Sequence, residues 1–194
     1  MSALQTVARV SGALFAALLL YLLFWPVPIT PQAWDAPVNA GLVDPFSPND
    51  RLSKIRLIDL GEHAGPEDIA GGPDGRVYTA TSDGAVLRFD SNGGSIEVFA
   101  NAGGRPLGME FDRAGNLLIA NAYLGLQRIT PAGDVTTLVS EFEGEEIAYP
   151  DDVAVANDGT IYFSDASTKF GARSNSGSYN ASLLDIMEHG GHGR

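Results

Sequence analysis

Three stretches of this sequence align with one another without a gap, and this repeat constrains the fold more than any other feature. They cover residues 66–81, 106–121 and 150–165. Each begins with a proline and places a glycine nine residues later, so that both residues recur after 40 and then 44 positions. A period of about 40–45 residues built from short strands and glycine turns is typical of a β-propeller with one four-stranded blade per repeat.

The repeat predicts an all-β fold whose strands follow one another blade by blade. The predicted strands lie near 67–72, 76–81, 85–90 and 95–100 in blade one, 107–112, 116–121, 125–130 and 134–139 in blade two, and 151–156 and 160–165 in blade three. Turns such as Ser82-Asp83-Gly84 have the chemistry of hairpins. Residues 52–59 alternate apolar and polar side chains and predict an early strand that closes the ring against the last blade.

The number of repeats is too small to close a ring. Two full blades and the first half of a third are present, whereas known propellers have four to eight blades of about 40 residues each. We therefore expect the chain to be an amino-terminal portion of a longer protein, holding about the first half of a propeller.

Composition excludes several classes of function. The chain has 12 Lys and Arg against 24 Asp and Glu, a formal net charge of -12, which repels nucleic acid and argues against a phosphate-binding groove. It contains no cysteine, so disulfides, zinc–cysteine sites and thiol nucleophiles are excluded.

The amino terminus predicts a membrane anchor. No charged residue occurs from Val10 to Ile29, and about 20 apolar residues can span a bilayer as a helix. Arg9 is the nearby flanking cation and no Lys or Arg follows before Arg51, so the charge bias leaves the amino terminus in the cytoplasm. The predicted organisation is a cytoplasmic tail at 1–9, a transmembrane signal anchor at 10–29, a proline-rich linker at 30–50 and the partial propeller at 51–194.

A cleaved signal peptide is the alternative, because the most apolar part of this segment is short. Prolines stand where a small-residue cleavage site would be expected. Under either interpretation the propeller is exported. As a single-pass membrane protein, the chain would carry it on the periplasmic, extracellular or lumenal side.

The pattern of strands breaks after residue 165. Residues 169–179 are rich in Ser, Gly and Asn and predict a loop. A short helix is predicted at 181–188, capped by Asn180 and stopped by Gly190-Gly191. Asn180-Ala181-Ser182 is also a glycosylation sequon, which has meaning in a eukaryotic secretory pathway.

Acidic pairs occupy the same position of two repeats. Glu67-Asp68 and Asp151-Asp152 follow the repeated proline, where blade two carries Leu107-Gly108. In a propeller this position lies where a loop enters the innermost strand, at one mouth of the central channel. Carboxylates that converge there repel one another unless a cation lies among them, and oxygen ligands favour a hard ion such as calcium. The alternative is that these acids form turns and face water.

Four segments resemble the strictosidine synthase-like family. They are Gly65-Pro66-Glu67-Asp68, Gly104-Arg105-Pro106-Leu107-Gly108, the run from Tyr162 to Thr168, and Ile186-Met187-Glu188 with Gly193-Arg194. Within the family the likeness is greatest to the adipocyte plasma membrane-associated proteins, which also carry an amino-terminal anchor. Paraoxonases and gluconolactonases are more distant relatives. The resemblance implies a six-bladed propeller with calcium in its tunnel and hydrolase activity on esters or lactones.

The resemblance also implies roles for individual residues. Glu67 matches a ligand of the tunnel calcium, and Asp151 stands where relatives usually have a ligating Asn. Asp68 and Asp152 match ligands of a second, structural calcium, with the backbone carbonyl of Met109 as a candidate third ligand.

Two departures from these relatives bear on mechanism. Leu107 replaces a functional histidine of the paraoxonases, so a mechanism assisted by histidine at that position is not available. The glutamate that strictosidine synthases use for condensation, like the remaining calcium ligands, corresponds to a position beyond Arg194.

The sequence supports a membrane-anchored, calcium-dependent hydrolase of small esters or lactones. The alternative, from a different class, is a non-catalytic propeller that binds a protein or polysaccharide at the envelope surface. A condensing enzyme of the strictosidine synthase type is a third interpretation and requires the later glutamate.

Overall fold

The computed structural model describes residues 3–25, 29–173 and 181–194. Its elements in chain order are α1 (Ala3–Phe24), β1 (Ile69–Gly71), β2 (Val77–Ala80), β3 (Ala85–Phe89), β4 (Glu97–Asn101), β5 (Pro106–Phe111), β6 (Leu117–Asn121), β7 (Gly125–Ile129), β8 (Val135–Val139), β9 (Glu141–Phe142), β10 (Glu145–Glu146), β11 (Pro150–Val155), β12 (Ile161–Asp165) and α2 (Ala181–Glu188).

Two complete propeller blades are present, as the repeat predicts. Strands β1 to β4 form one antiparallel sheet in chain order, and β5 to β8 form a second. The two sheets even share an irregularity in the pairing of their third and fourth strands. The register shifts between Val86 and Leu87 in the first sheet, and between Leu126 and Gln127, 40 residues later, in the second. Equal spacing of residues thus produces blades of equal geometry.

The third blade is present in part. Strands β11 and β12 pair antiparallel and confirm the prediction for 151–156 and 160–165. The backbones of Asp165 and Arg194 exchange two hydrogen bonds, N to O at 2.8 and 2.9 Å. Reciprocal bonds of this kind mark an antiparallel pair. The chain therefore returns to the edge of β12 at Arg194, and the described residues 166–173 and 181–193 belong to an insertion at one end of the blade.

The core lies between blades. Strand β6 is buried on both faces because a blade packs on each side of it. Leu117 and Ile119 face blade one and belong to a cluster with Tyr78 and Val86. Leu118 and Ala120 point the other way and pack with residues of β7 and β11. The uninterrupted apolar run of β6 is what a strand buried on both faces requires.

Helix α1 differs in its bounds from the predicted span. It covers Ala3–Phe24 instead of 10–29, and the backbone N–H of Trp25 still donates to the carbonyl of Tyr21 at 2.9 Å. The sequence explains this end, because Pro26 lacks an N–H and disfavours helical geometry in the residue before it. Gln5–Phe24 is long and apolar enough to cross a membrane, by length and composition.

The predicted strand at 52–59 is wrong. Residues 51–54 form a turn and 55–60 belong to no strand. Leu52, Ile55 and Leu57 are exposed. A strand depends on ladder bonds to a neighbour, and in the described part of the chain this segment pairs with no strand.

Two local features complete the comparison with the sequence. A small hairpin of β9 and β10, turning at Glu143-Gly144 with φ of 52° and 83°, was not predicted. The helix predicted at 181–188 is confirmed as α2. Its predicted cap Asn180, the sequon and most of the predicted loop lie outside the described residues.

Candidate cation site at the blade mouth

A backbone bulge positions the acidic pair of blade three. In blade three, Pro150 pairs with Asp165 and Val153 with Phe163, so that Asp151 and Asp152 together oppose the single residue Ser164. In blade two the register shifts in the same way between Pro106 and Met109. A bulge with two residues opposite one bends the strand and re-aims side chains, and it is common beside functional sites. The predicted acidic position therefore has a defined backbone geometry.

Asp68 connects blade one to blade two. Its Oδ1 accepts a hydrogen bond from the backbone N–H of Ile69 at 2.7 Å, and its Oδ2 accepts one from the backbone N–H of Met109, also at 2.7 Å. The hydroxyl of Thr79 donates to the Asp68 carbonyl oxygen at 2.7 Å. The contact that the structure shows between Asp68 and Met109 is through the Met109 N–H, whereas the predicted calcium ligand is the Met109 carbonyl oxygen.

Asp152 is placed by the same local bond as Asp68. Its Oδ1 accepts from the backbone N–H of the next residue, Val153, at 2.8 Å, and its own N–H donates to the hydroxyl of Ser164 at 3.1 Å. The two aspartates therefore make the same local bond at the start of blades one and three, and Asp68 also bonds to blade two.

Gly108 allows blade three to approach blade two. A Cβ atom at this glycine would lie 2.4 Å from Asp152 Oδ1, 2.6 Å from Asp152 Cα and 2.9 Å from the carbonyl oxygen of Asp151. Near it, Glu110 Oε2 accepts from the backbone N–H of Val155 at 2.6 Å. Because Gly108 has no side chain, blade two leaves the space into which the Asp151-Asp152 bulge fits.

Neighbouring charges alter the pKa values of the Glu67 and Asp151 carboxyl groups. Glu67 is exposed, yet desolvation by the atoms around its carboxyl group, followed by the charges of Asp151 and Asp68, raises its pKa, while the guanidinium of Arg105 opposes this rise. Burial and the charge of Asp152 raise the pKa of Asp151. Like charges thus oppose one another at the mouth, and Arg105, which also donates to the carbonyl of Gly65 at 2.9 Å, compensates them in part.

The donor set has the chemistry of a hard-cation site and is incomplete within the described residues. Glu67 and Asp151 offer carboxylate oxygens, which calcium prefers. In residues 3–25, 29–173 and 181–194, no three His, Asp or Glu side chains converge closely enough to hold a metal ion. Calcium takes six to eight oxygen ligands, so further donors would have to complete the sphere.

Two buried polar residues that support the mouth were missed from the sequence. The Oδ1 atom of Asn121 accepts from the N–H of Arg105 at 3.0 Å, and that of Asp165 accepts from the N–H of Tyr149 at 2.7 Å. Both donors immediately precede the repeated proline. The sequence does contain a signal for these two residues, because each of the three repeated stretches ends on a polar residue that follows a largely apolar strand.

Comparison with known proteins agrees with this architecture. Residues 44–89 match the family described as "Strictosidine synthase-like, N-terminal". The Arabidopsis thaliana protein STRICTOSIDINE SYNTHASE-LIKE 6 is 38% identical over 153 residues, which is 75% of this chain and 39% of that protein. The adipocyte plasma membrane-associated protein of Salmo salar is 32% identical over 184 residues, 84% of this chain and 43% of that protein.

A solved structure gives the same fold. A gluconolactonase from Xanthomonas campestris superimposes with a TM-score of 0.52 and 25% identity, over 60% of this chain and 39% of that one. The chain thus spans about two fifths of the length of the relatives that it matches.

Replacing Gly108 tests the contact between blades. We expect Gly108→Ala to lower the free energy of unfolding by about 1–3 kcal/mol, because the added methyl group meets backbone atoms of blade three that cannot move independently. Denaturant unfolding measures the change. Gly71→Ala is the matched control, since its Cβ would meet nothing within 4 Å. Equal stability of the two variants would contradict the close packing.

The pH dependence of stability tests the coupling of Glu67. A carboxyl whose folded pKa is raised destabilises the fold when ionised, and this penalty disappears as the pH falls through the folded pKa towards its ordinary value of 4.5. In chelator at pH 7 we therefore expect Glu67→Gln to unfold at a higher temperature than the unchanged chain, with a difference that narrows on acidification.

Thermal unfolding at several pH values measures this difference. The charge-matched control is Glu62→Gln, which removes an exposed carboxylate from the loop ahead of blade one. If both variants raised the unfolding temperature equally, and if both differences shrank equally on acidification, an effect specific to Glu67 would be contradicted.

Proposed function

We propose that this chain, which carries the amino-terminal signature of the strictosidine synthase-like family, contributes to a membrane-anchored, calcium-dependent hydrolase of esters or lactones. The observation that carries the proposal is the placement of two acidic pairs, Glu67-Asp68 and Asp151-Asp152, on either side of blade two. The N–H of Met109 binds Asp68, and Gly108 lies against Asp152. Pairs that are far apart in sequence thus offer the oxygen donors that a cation site between blades needs.

Each acidic residue has a place in this proposal. Glu67 and Asp151 hold the tunnel calcium, and Asp68 and Asp152, with the Met109 carbonyl, contribute to a second, structural calcium. When bound, calcium polarises a carbonyl group and stabilises the negative charge that develops on its oxygen.

The chain's own residues orient this arrangement. Asp68 fixes the distance between blades one and two through the N–H of Met109. Arg105 partly balances the charge of Glu67. Leu107 is buried beside the mouth, so this position supplies shape and supplies no acid or base.

The substrate class is supported by the relative of known structure. The protein from Xanthomonas campestris is described as a gluconolactonase, and it has the same fold over most of the described blades. A lactone is a cyclic ester, so one carbonyl chemistry covers both proposed substrate classes.

Membrane attachment belongs to the same proposal. Helix α1 exposes apolar side chains on all its sides, among them Leu14, Phe15 and Leu18. This is the surface that a helix surrounded by lipid has. With the amino terminus in the cytoplasm, α1 holds the propeller on the opposite side of the membrane. The similarity to adipocyte plasma membrane-associated protein supports this attachment.

Calcium should stabilise the chain through Glu67. A ligand at 100 times its dissociation constant adds about 2.7 kcal/mol to the free energy of unfolding. In the longest protein that contains this chain, we expect calcium to raise the unfolding temperature of the unchanged protein and of Glu62→Gln, and to have little effect on Glu67→Gln. Differential scanning calorimetry in calcium and in chelator measures these shifts. An equal calcium response in Glu67→Gln would show that the ion binds elsewhere.

Hydrolysis should depend on calcium and on Glu67. With aryl esters and aliphatic lactones as substrates, we expect turnover by the longest protein containing this chain to be lost in chelator and restored by calcium. In Glu67→Gln we expect at least about a hundredfold loss, of the size seen when one element of electrostatic stabilisation is removed. Undiminished turnover in chelator would overturn the proposal.

A non-catalytic propeller remains the second candidate. It is favoured by Leu107, a buried apolar residue at the position where the resemblance to paraoxonases would place a functional histidine. Calcium-dependent stabilisation without any ester or lactone turnover would support this function, in which the mouth binds a protein or polysaccharide.

A further inference from the structure

Helix α2 has two apolar faces, of which one is used in packing. Leu184 is buried against Phe170, and Glu188, one turn later, is also buried. On the opposite face Leu183, Ile186 and Met187 are exposed by 45%, 64% and 49%. Their spacing of three and four residues places them on one side of the helix.

Among the described side chains of α2, no charged group interrupts this exposed face. Asp185, the acid nearest to it in sequence, is half-buried and accepts a hydrogen bond from the hydroxyl of Ser167 at 3.3 Å. The buried Glu188 carboxylate binds Lys169, which together with His192 lowers its pKa. The carboxylates of Asp185 and Glu188 thus bind groups of the propeller insertion, and the described side chains of the outer face are apolar.

The segment that follows α1 is docked on α2. Ile29 packs against the cluster of Phe170 and Leu184. The backbone N–H of Gln32 donates to the carbonyl of Glu188 at 3.1 Å. The ring of Trp34 stacks on His189, with centroids 5.6 Å apart, and remains 63% exposed. The first residues of the predicted linker therefore form a contact with the propeller and are not a free tether.

Chain length places α2 near the end of α1. Four peptide steps separate Trp25 from Ile29, and a chain spans at most about 3.6 Å per residue, so these residues lie within about 14 Å of each other. If α1 crosses the bilayer, Trp25 lies at the membrane–water interface, where tryptophan and tyrosine are enriched. Since Ile29 contacts α2, the helix must lie within reach of the same surface.

We propose that α2 rests on the bilayer surface from which α1 emerges. Leu183, Ile186, Met187 and the exposed ring of Trp34 enter the boundary between headgroups and acyl chains. A short apolar helix face can bury about 5–10 Å into that boundary. The inference rests on the proposed membrane span of α1 and is independent of the proposed hydrolysis.

This contact determines which end of the propeller faces the membrane. The insertion that carries α2 leaves β12 after Asp165, whose partner Pro150 immediately precedes Asp151. The acidic mouth and α2 therefore lie at the same end of blade three. For the proposed hydrolase, the substrates that reach this mouth are apolar esters or lactones that partition into the lipid.

Site-specific fluorescence tests the bilayer contact. Because the chain has no cysteine, Ile186→Cys can be labelled at one position with an environment-sensitive fluorophore. The labelled chain is reconstituted in phosphatidylcholine vesicles with and without lipids that carry a nitroxide near the glycerol. The matched control is Asp158→Cys, exposed on the β11–β12 turn at the opposite end of the same blade. Leu19→Cys reports whether α1 lies in the bilayer.

The proposal predicts blue-shifted emission at position 186 and at least about twofold greater quenching by the nitroxide lipid than at position 158, as for a helix in the interface. Quenching at position 19 with none at position 186 would overturn the α2 contact while leaving the anchor intact. A blue shift at 186 that resists both nitroxide lipid and aqueous iodide would overturn it in favour of a protein partner. No quenching at 19 would remove the premise and the proposal with it.

Discussion

The carboxylate of Asp68 holds the first two blades together at the mouth, and the positions of the other site residues depend on that bond. It bridges the backbone N–H groups of Ile69 and Met109, and hydrogen bonds to a charged group contribute about 1.5–3 kcal/mol each. Glu110 makes the comparable link to blade three through Val155. Side-chain carboxylates thus link consecutive blades where one sheet ends and the next begins, and blade two stands between the acidic pairs of blades one and three.

The same arrangement carries an electrostatic cost. Desolvation and neighbouring acids raise the pKa values of Glu67 and Asp151, and Arg105 offsets this for Glu67 in part. A cation would remove the repulsion, so the features that make the mouth unfavourable without an ion would make it favourable with one. If α2 rests on the bilayer, this charged opening faces an apolar phase, and a neutral substrate could enter it from the lipid.

The sequence predicted those parts of the fold that local patterns control. Glycine turns and the proline period located the strands of three blades, and the apolar run of β6 reflects burial on both faces. The acidic position was found because Glu67 and Asp151 occupy equal places in the repeat. The bulge that aims Asp151, the need for glycine at 108 and the docking of Trp34 on His189 depend on contacts between distant segments, which no local pattern records. Residues 52–59 show the opposite error. Their alternation of apolar and polar side chains predicts a strand, but in the described residues no strand pairs with this segment.

The most direct test of the account is a crystal structure of the longest protein that contains this chain, grown in calcium, with anomalous difference density used to locate the ion. The account predicts a peak at about 2.3–2.6 Å from carboxylate oxygens of both Glu67 and Asp151, the usual calcium–oxygen distance. A fully formed mouth with no peak between these residues, or a calcium ion bound only away from them, would contradict it.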